Sequence, residues 1–166
     1  MTEYQGADEI VARTRAFFEG HLAQYLSSGG TQGHIIDFSH VSERGMLPTL
    51  LLQTIGRKSG RRSVLPLIYG VYAGEWVIIG SKGGTPEHPA WYLNMREQKE
   101  VQFQVGTQAF RATWRTLEGE ERTPVWNYMA KLFPPYNDYQ TGTGGRIIPV
   151  VVMKPTGEVP VFRQGA

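Results

Sequence analysis

Between residues 101 and 114 the chain alternates with little slack. Val101, Phe103 and Val105 are separated by Gln102 and Gln104, and Phe110, Ala112 and Trp114 alternate with Arg111, Thr113 and Arg115. Successive side chains on a strand point to opposite faces, so this pattern puts every apolar residue on one face. Gly106-Thr107 lies between the two runs, with glycine where a type II′ turn needs positive φ. The segment is a half-buried antiparallel hairpin.

Other strands follow the same logic. Thr49–Ile55 and Val64–Tyr72 are apolar runs, and Ala73-Gly74 turns the second into Trp76–Ile79. Arg146–Met153 is expected as the last long strand, with Pro149 at an edge or bulge because proline cannot donate to the ladder. Over residues 8–26, Ile10, Val11, Phe17, Phe18, Leu22, Tyr25 and Leu26 recur at helical spacing until Ser27-Ser-Gly-Gly ends the run. The expected place of this helix is against the body. A lid or a membrane-surface helix is the alternative, weakened by a polar face of mixed charge. Two short helices are expected, one near Pro89 carrying Trp91, Tyr92 and Met95, the other from near Pro124 carrying Trp126, Met129, Ala130 and Phe133 until Pro134 and Pro135 stop it. No βαβ alternation occurs. The expectation is an α+β, mainly antiparallel chain whose six or so strands curl into a small barrel with flanking helices. Residues 1–33 form an N-terminal helix and linker, and residues 34–166 the barrel, in one domain overall.

Several chemistries are excluded. The 166 residues contain no cysteine, which removes disulfides, thiolate metal sites and a cysteine nucleophile. His21, His34, His40 and His88 show no ligand spacing, so no metal site is expected. There is no GxSxG. Gly142-Thr-Gly-Gly leads into a strand rather than a helix, and Gly80-Ser-Lys-Gly-Gly-Thr lacks the ending of a P-loop. A net charge of +2 is too small to argue for nucleic acid. No window is apolar enough to span a membrane, and no signal peptide opens the chain, so a cytoplasmic protein is expected.

The charge distribution says more than its sum. Arg57, Lys58, Arg61 and Arg62 fall between two strands without an acidic residue among them. A solvated loop would explain this, but Gly56 and Gly60 also let the backbone approach a ligand, and arginine suits phosphate or carboxylate. Gly80-Ser81-Lys82-Gly83-Gly84 leaves a strand end with a hydroxyl, an ammonium and unencumbered N–H groups, which suit an anion nest. Pro89-Ala-Trp-Tyr-Leu-Asn then opens a helix. Together these describe a site for a flat ring with an anionic tail; for Trp91 and Tyr92 core packing is the competing reading.

Five segments carry a resemblance. Thr54-Ile-Gly-Arg-Lys-Ser-Gly, Gly80-Ser-Lys-Gly-Gly, His88-Pro-Ala-Trp-Tyr-Leu-Asn, Pro135-Tyr-Asn-Asp-Tyr-Gln and Arg146-Ile-Ile-Pro-Val-Val-Val resemble, in order and spacing, the motifs of the deazaflavin-dependent nitroreductase family. The resemblance implies a split β-barrel related to flavin-binding barrels, and coenzyme F420, a deazaflavin with a polyanionic phospholactyl-oligoglutamate tail. It assigns Arg57, Lys58 and Ser59, then Ser63–Ile68 (Ser63, Val64, Pro66 and Ile68 among them), to the tail. It assigns Ile79, Gly80, Ser81 and Lys82, with Ala90, Trp91, Tyr92 and Asn94, to the ring. Tyr136 and Tyr139 match substrate-pocket tyrosines, Tyr136 beside the cofactor, and with Ser81 they are the implied catalytic set. Two departures stand out. Phe133 replaces a tyrosine of nitroreductase members, which counts against a nitroimidazole substrate. Ser63 falls where relatives place arginine, while Arg61 and Arg62 come earlier, and either could serve the tail. The implied reaction is hydride transfer from F420H2 to a quinone, enone or nitro-compound by a monomer or homodimer. The alternatives are an FMN-dependent barrel enzyme and a non-catalytic F420-binding domain.

Overall fold

The computed structural model describes residues 16–164. Helix α1 (16–27) is followed by β1 (Ile35–Asp37), β2 (Met46–Ile55), β3 (Arg62–Ile68), β4 (Gly70–Tyr72) and β5 (Glu75–Ile79). A 3-10 turn (Lys82–Gly84) and α2 (Ala90–Met95) lead to β6 (Glu100–Val105) and β7 (Gln108–Thr116). Helices α3 (Gly119–Leu132) and α4 (Pro135–Gly142) precede β8 (Val150–Val159). The first part of the expected N-terminal helix, with Ile10 and Val11, lies outside the described residues.

Every strand pairing is antiparallel, along the path β1-β2-β6-β7-β8-β5-β4, with β3 on β2. The β6–β7 hairpin has the register its sequence dictates: Val105 faces Gln108, Phe103 faces Phe110, and Gly106 sits at φ 57°. The run Val64–Tyr72, expected as one strand, is two. Its first half pairs with β2 and its second with β5, so the chain breaks step at Tyr69 to serve both. That break joins β3, paired with β2, to β4, paired with β5, so the strands that flank the β2-β6-β7-β8-β5 path are consecutive in sequence.

The period of two sorts the core. Leu50, Leu52, Ile78, Phe103, Ala112, Val151 and Met153 point to one cluster with Trp91, Tyr92 and Met95 of α2. On the other face of β5 and β8, Val77, Ile79, Val150 and Val152 pack against Val125, Trp126 and Met129 of α3. Leu51 turns away from Leu50 and Leu52 to meet Tyr25 of α1, Ala109 and Phe162. Tyr25 is fully buried, donates to the Thr49 carbonyl at 2.9 Å and accepts from the Gly106 N–H at 2.8 Å. The described part of α1 therefore packs on the barrel, as its amphipathic pattern suggested.

Three expectations need correction. The last strand begins at Val150, not Arg146, because residues 146–149 are held by side chains and loops rather than by a neighbouring strand. The bulge falls instead at Pro155: Arg111 faces Gly157 while Ala112 faces Pro155, so one residue of β8 is left over beside the residue that cannot donate. Helix α3 starts at Gly119 and carries Pro124 inside it. Pro134 and Pro135 do end α3, but Pro135 also opens α4, a first-turn role that its fixed φ suits. Neither α4 nor the short β1 was anticipated.

Gly30 closes the turn after α1 at φ 88°, and a Cβ there would overlap the Gly106 carbonyl. Gly30→Ala combines a forbidden backbone with a clash, so it should cost more than about 1 kcal/mol in urea unfolding. Gly74→Ala, at positive φ but with nothing within 4 Å of its Cβ, should cost less.

Candidate active site

One cavity of about 640 Å³ runs along β3, between α1, the Phe38–Val41 loop, the 3-10 turn, the start of α2 and α4. Its walls are mostly apolar. It collects Ser63, Pro66, Ile68, Ile79, Ser81, Lys82, Ala90, Trp91, Tyr136 and Tyr139, residues that the sequence singled out from four separate segments. Few polar groups set against a large apolar wall is the usual make-up of a small-molecule site.

The polar end is built by the Gly80–Gly84 loop. Lys82 (φ 45°), Gly83 (φ 63°) and Gly84 (φ 82°) are successive left-handed residues. For lysine that conformation costs about 1–2 kcal/mol, so the surroundings must hold it. Gly84 permits it sterically, since a Cβ there would meet the Tyr139 backbone. The loop's own bonds run from Gly84 N–H to Ser81 O (2.9 Å) and from Thr85 N–H to Lys82 O (3.3 Å). Among the described residues the N–H groups of Ser81, Lys82 and Gly83 and the Ser81 hydroxyl have no acceptor. Successive free N–H groups in such a turn form a concave donor set for an anion or an electron-rich carbonyl.

Arg57, Lys58, Ser59, Arg61 and Arg62 lie outside the cavity wall, on the exposed turn and strand start that lead into Ser63. No carboxylate pairs with these four cations among the described residues. Asn94, read as a ring contact, holds this turn. Its Oδ1 accepts from the Arg57 N–H (3.1 Å) and Nη1 (2.9 Å), and its amide donates to Thr54 (3.4 Å). Tyr92 belongs to the core cluster and bonds Thr116 at 2.8 Å, so core packing wins for it, whereas Trp91 lines the cavity. Val64 packs towards Tyr25 and Leu51. Gly80 lies behind the wall, its N–H given to Pro149 at 2.9 Å.

At the opposite end, Phe133 stands edge-on to Tyr136 (4.9 Å between ring centroids) and to Phe38 (6.2 Å). Burial raises the pKa of Tyr136, with the neighbouring Tyr139 adding to it, and burial also raises Tyr139. Both therefore keep their protons at neutral pH. Phe18, His21, Phe38, His40, Val41 and Thr49 also line the wall and were not singled out beforehand as site residues, whereas Leu65 and Leu67 lie within the Ser63–Ile68 segment that was. Phe18 carried a helical signal without direction, and nothing local in residues 38–41 marks a pocket. Arg146 was quoted only as part of a motif. Its guanidinium bonds the carbonyls of Gly80 (3.0 Å), Ser81 (2.8 Å) and Thr85 (3.0 Å), and reaches His88 Nδ1 at 3.2 Å.

The fold and this site define a split-barrel oxidoreductase. Solved structures agree: an F420-H2-dependent reductase (FDR-A) superposes with TM-score 0.58 at 39% identity, over 64% of this chain and 94% of that one. A structure described as a domain-swapped dimer gives TM-score 0.61 at 34% identity, over 90% and 99%. The model of the F420H(2)-dependent quinone reductase family matches residues 20–155, and the chain belongs to that family. The F420H(2)-dependent quinone reductase Rv1261c of Mycobacterium tuberculosis is 32% identical over 136 residues, 80% of this chain and 86% of that protein. F420 is thus the cofactor, and the residues fit it. The cavity is roomy and apolar enough for a flat ring, a donor set without acceptors among the described residues lies at one end, and cations without a carboxylate partner among those residues continue beyond Ser63 for an anionic tail.

His21, His34 and His88 all have pKa values below the ordinary 6.5, chiefly through burial; Arg146 and Arg96 add to the effect at His88. Above 6.5 each is neutral folded or unfolded and contributes nothing. Below it the unfolded chain binds more protons, so stability falls with pH. The melting temperature should be lower at about pH 5.5 than at about pH 7.5, and His88→Gln should flatten part of that slope.

Proposed function

We propose that the cavity takes F420H2 with its ring against Ser81–Gly83 and Trp91 and its tail towards the cationic turn, and that the acceptor is a quinone. The observation carrying this reading is that four segments singled out in the sequence, Ser63–Ile68, Ile79–Lys82, Ala90–Trp91 and Tyr136–Tyr139, converge on one cavity in a chain of the quinone reductase family. When bound, the reduced deazaflavin supplies a hydride.

The chain's own residues bind, orient and protect. Ile79, Trp91 and the β3 wall exclude water from the ring. The free N–H groups of residues 81–83 hold its oxygen-rich edge. Arg57, Lys58, Arg61 and Arg62 attract the tail, with Asn94 fixing the first of them. Ser63 supplies a hydroxyl where the strand meets that turn. Tyr136 and Tyr139 cover the acceptor, and one of them, protonated at neutral pH, gives the proton that follows hydride transfer. Phe133 lines the acceptor end without a hydroxyl, which favours a quinone over a nitroimidazole.

Titrating the apoprotein with F420 and following cofactor fluorescence tests this: saturable quenching is expected, and none at saturating protein would refute it. Replacing Arg57 and Lys58 together with alanine should weaken F420 binding roughly tenfold, the equivalent of about 1.4 kcal/mol. The loss should be larger for long tails and shrink in high salt. Of Tyr136→Phe and Tyr139→Phe, the one that removes the proton donor should lower kcat for quinone by about 10²-fold or more while F420 affinity is kept.

A further inference from the structure

The Gly80–Gly84 loop presents the Ser81 and Lys82 N–H groups to the cavity because the carbonyls that share their peptide groups, those of Gly80 and Ser81, are turned the other way. A peptide group points its N–H and its C=O in opposite directions, so what holds the carbonyls aims the donors. Those carbonyls converge on one side chain. Arg146 Nη1 donates to Gly80 O at 3.0 Å, Nη2 to Ser81 O at 2.8 Å, and Nε to Thr85 O at 3.0 Å. The planar guanidinium takes all three at once, which a lysine ammonium on a flexible stem cannot reproduce.

Arg146 is itself held from α4. Its carbonyl accepts from Gln140 Nε2 (2.7 Å) and Thr143 Oγ1 (2.8 Å), and Gln140 Oε1 accepts from the Ile148 N–H (2.9 Å). The same helix carries Tyr136 and Tyr139, and Gly84 packs directly on the Tyr139 backbone. The donor end and the tyrosine end of the cavity are thus tied through one residue. The other groups around the guanidinium are few: His88 Nδ1 accepts from Nη1 at 3.2 Å, and the Tyr92 ring lies 5.1 Å from His88. No carboxylate meets Arg146 among the described residues.

Resting on the F420 reading above, we propose that Arg146 is the positioning residue that sets the donor loop: its guanidinium holds the Gly80 and Ser81 carbonyls outward, so that the Ser81 and Lys82 N–H groups are presented to the cofactor ring, and its bond to the Thr85 carbonyl anchors the loop's far end. It has no contact with the ring itself in this role. The strained left-handed Lys82 is kept in place from both sides, by the grip on Ser81 before it and on Thr85 after it.

The test compares wild type with Arg146→Lys, which keeps the charge, and Arg146→Gln. Each is titrated with F420 and with the tail-less deazaflavin ring by fluorescence. Amide hydrogen exchange is followed in the apoprotein at Gly84 and Thr85, whose N–H groups close the loop. Both variants should bind both ligands at least tenfold more weakly, and both amides should exchange faster while core strand amides stay protected. Should Arg146→Gln fail to fold, Arg146→Lys is read alone. A variant that melts earlier but binds the ring within twofold of wild type would make Arg146 a stabilising residue only and overturn the inference. So would a loss confined to the tailed cofactor. Wild-type protein that binds neither ligand would instead remove the F420 reading on which the inference rests.

Discussion

The structure depends on one segment having two partners. Residues 62–72 leave β2 and must reach β5, and the chain does both by breaking step at Tyr69. Each half then pairs with a different strand, β3 with β2 and β4 with β5. Tyr69 is buried at the break, and its hydroxyl is bonded to His34 at 2.7 Å, so the kink is packed rather than floppy. The consequence for function is local. β3 is only half-buried, and its free side becomes the long wall of the cavity.

The cavity then divides its work by chemistry. Strand and helix residues supply the apolar walls. A glycine-rich loop supplies backbone donors, which need no side-chain ordering to act. The cations stay outside on an exposed turn, where a charged tail can be attracted without desolvating arginine in the core. Asn94 and Arg146 do not line the cavity; Arg146 fixes the Gly80–Gly84 loop that does, and Asn94 fixes the cationic turn outside it. Two of the polar residues in the family-like motifs thus hold the protein's own backbone.

Much of this was legible in residues 101–114, where strict alternation and a glycine turn left one register possible. The convergence of the Ser81, Trp91 and Tyr136 segments was legible too, through the family resemblance. What failed did so for reasons of context. Arg146–Met153 looks like a strand by composition, but residues 146–149 find their hydrogen bonds in Gln140, Thr143 and the Gly80 loop. Pro149 drew the bulge assignment that belongs to Pro155, because only pairing with β7 shows which proline sits in a ladder. Tyr92 and Trp91 are neighbours of similar character, and only the helix orientation sends one to Thr116 and the other to the cavity.

The sequence by itself determined the antiparallel class and the chemical character of each end of the site, because periodicity, glycine turns and clustered cations are local properties, and its motifs carried the resemblance that implied the cofactor. The tertiary structure decided which residues face the cavity and which merely hold it open. It turned Asn94 and Arg146 into supports, brought Phe18, Phe38 and His40 into the wall, and set Phe133 beside Tyr136. Those outcomes depend on contacts between segments far apart in the chain, and no property of a residue's own neighbours specifies them.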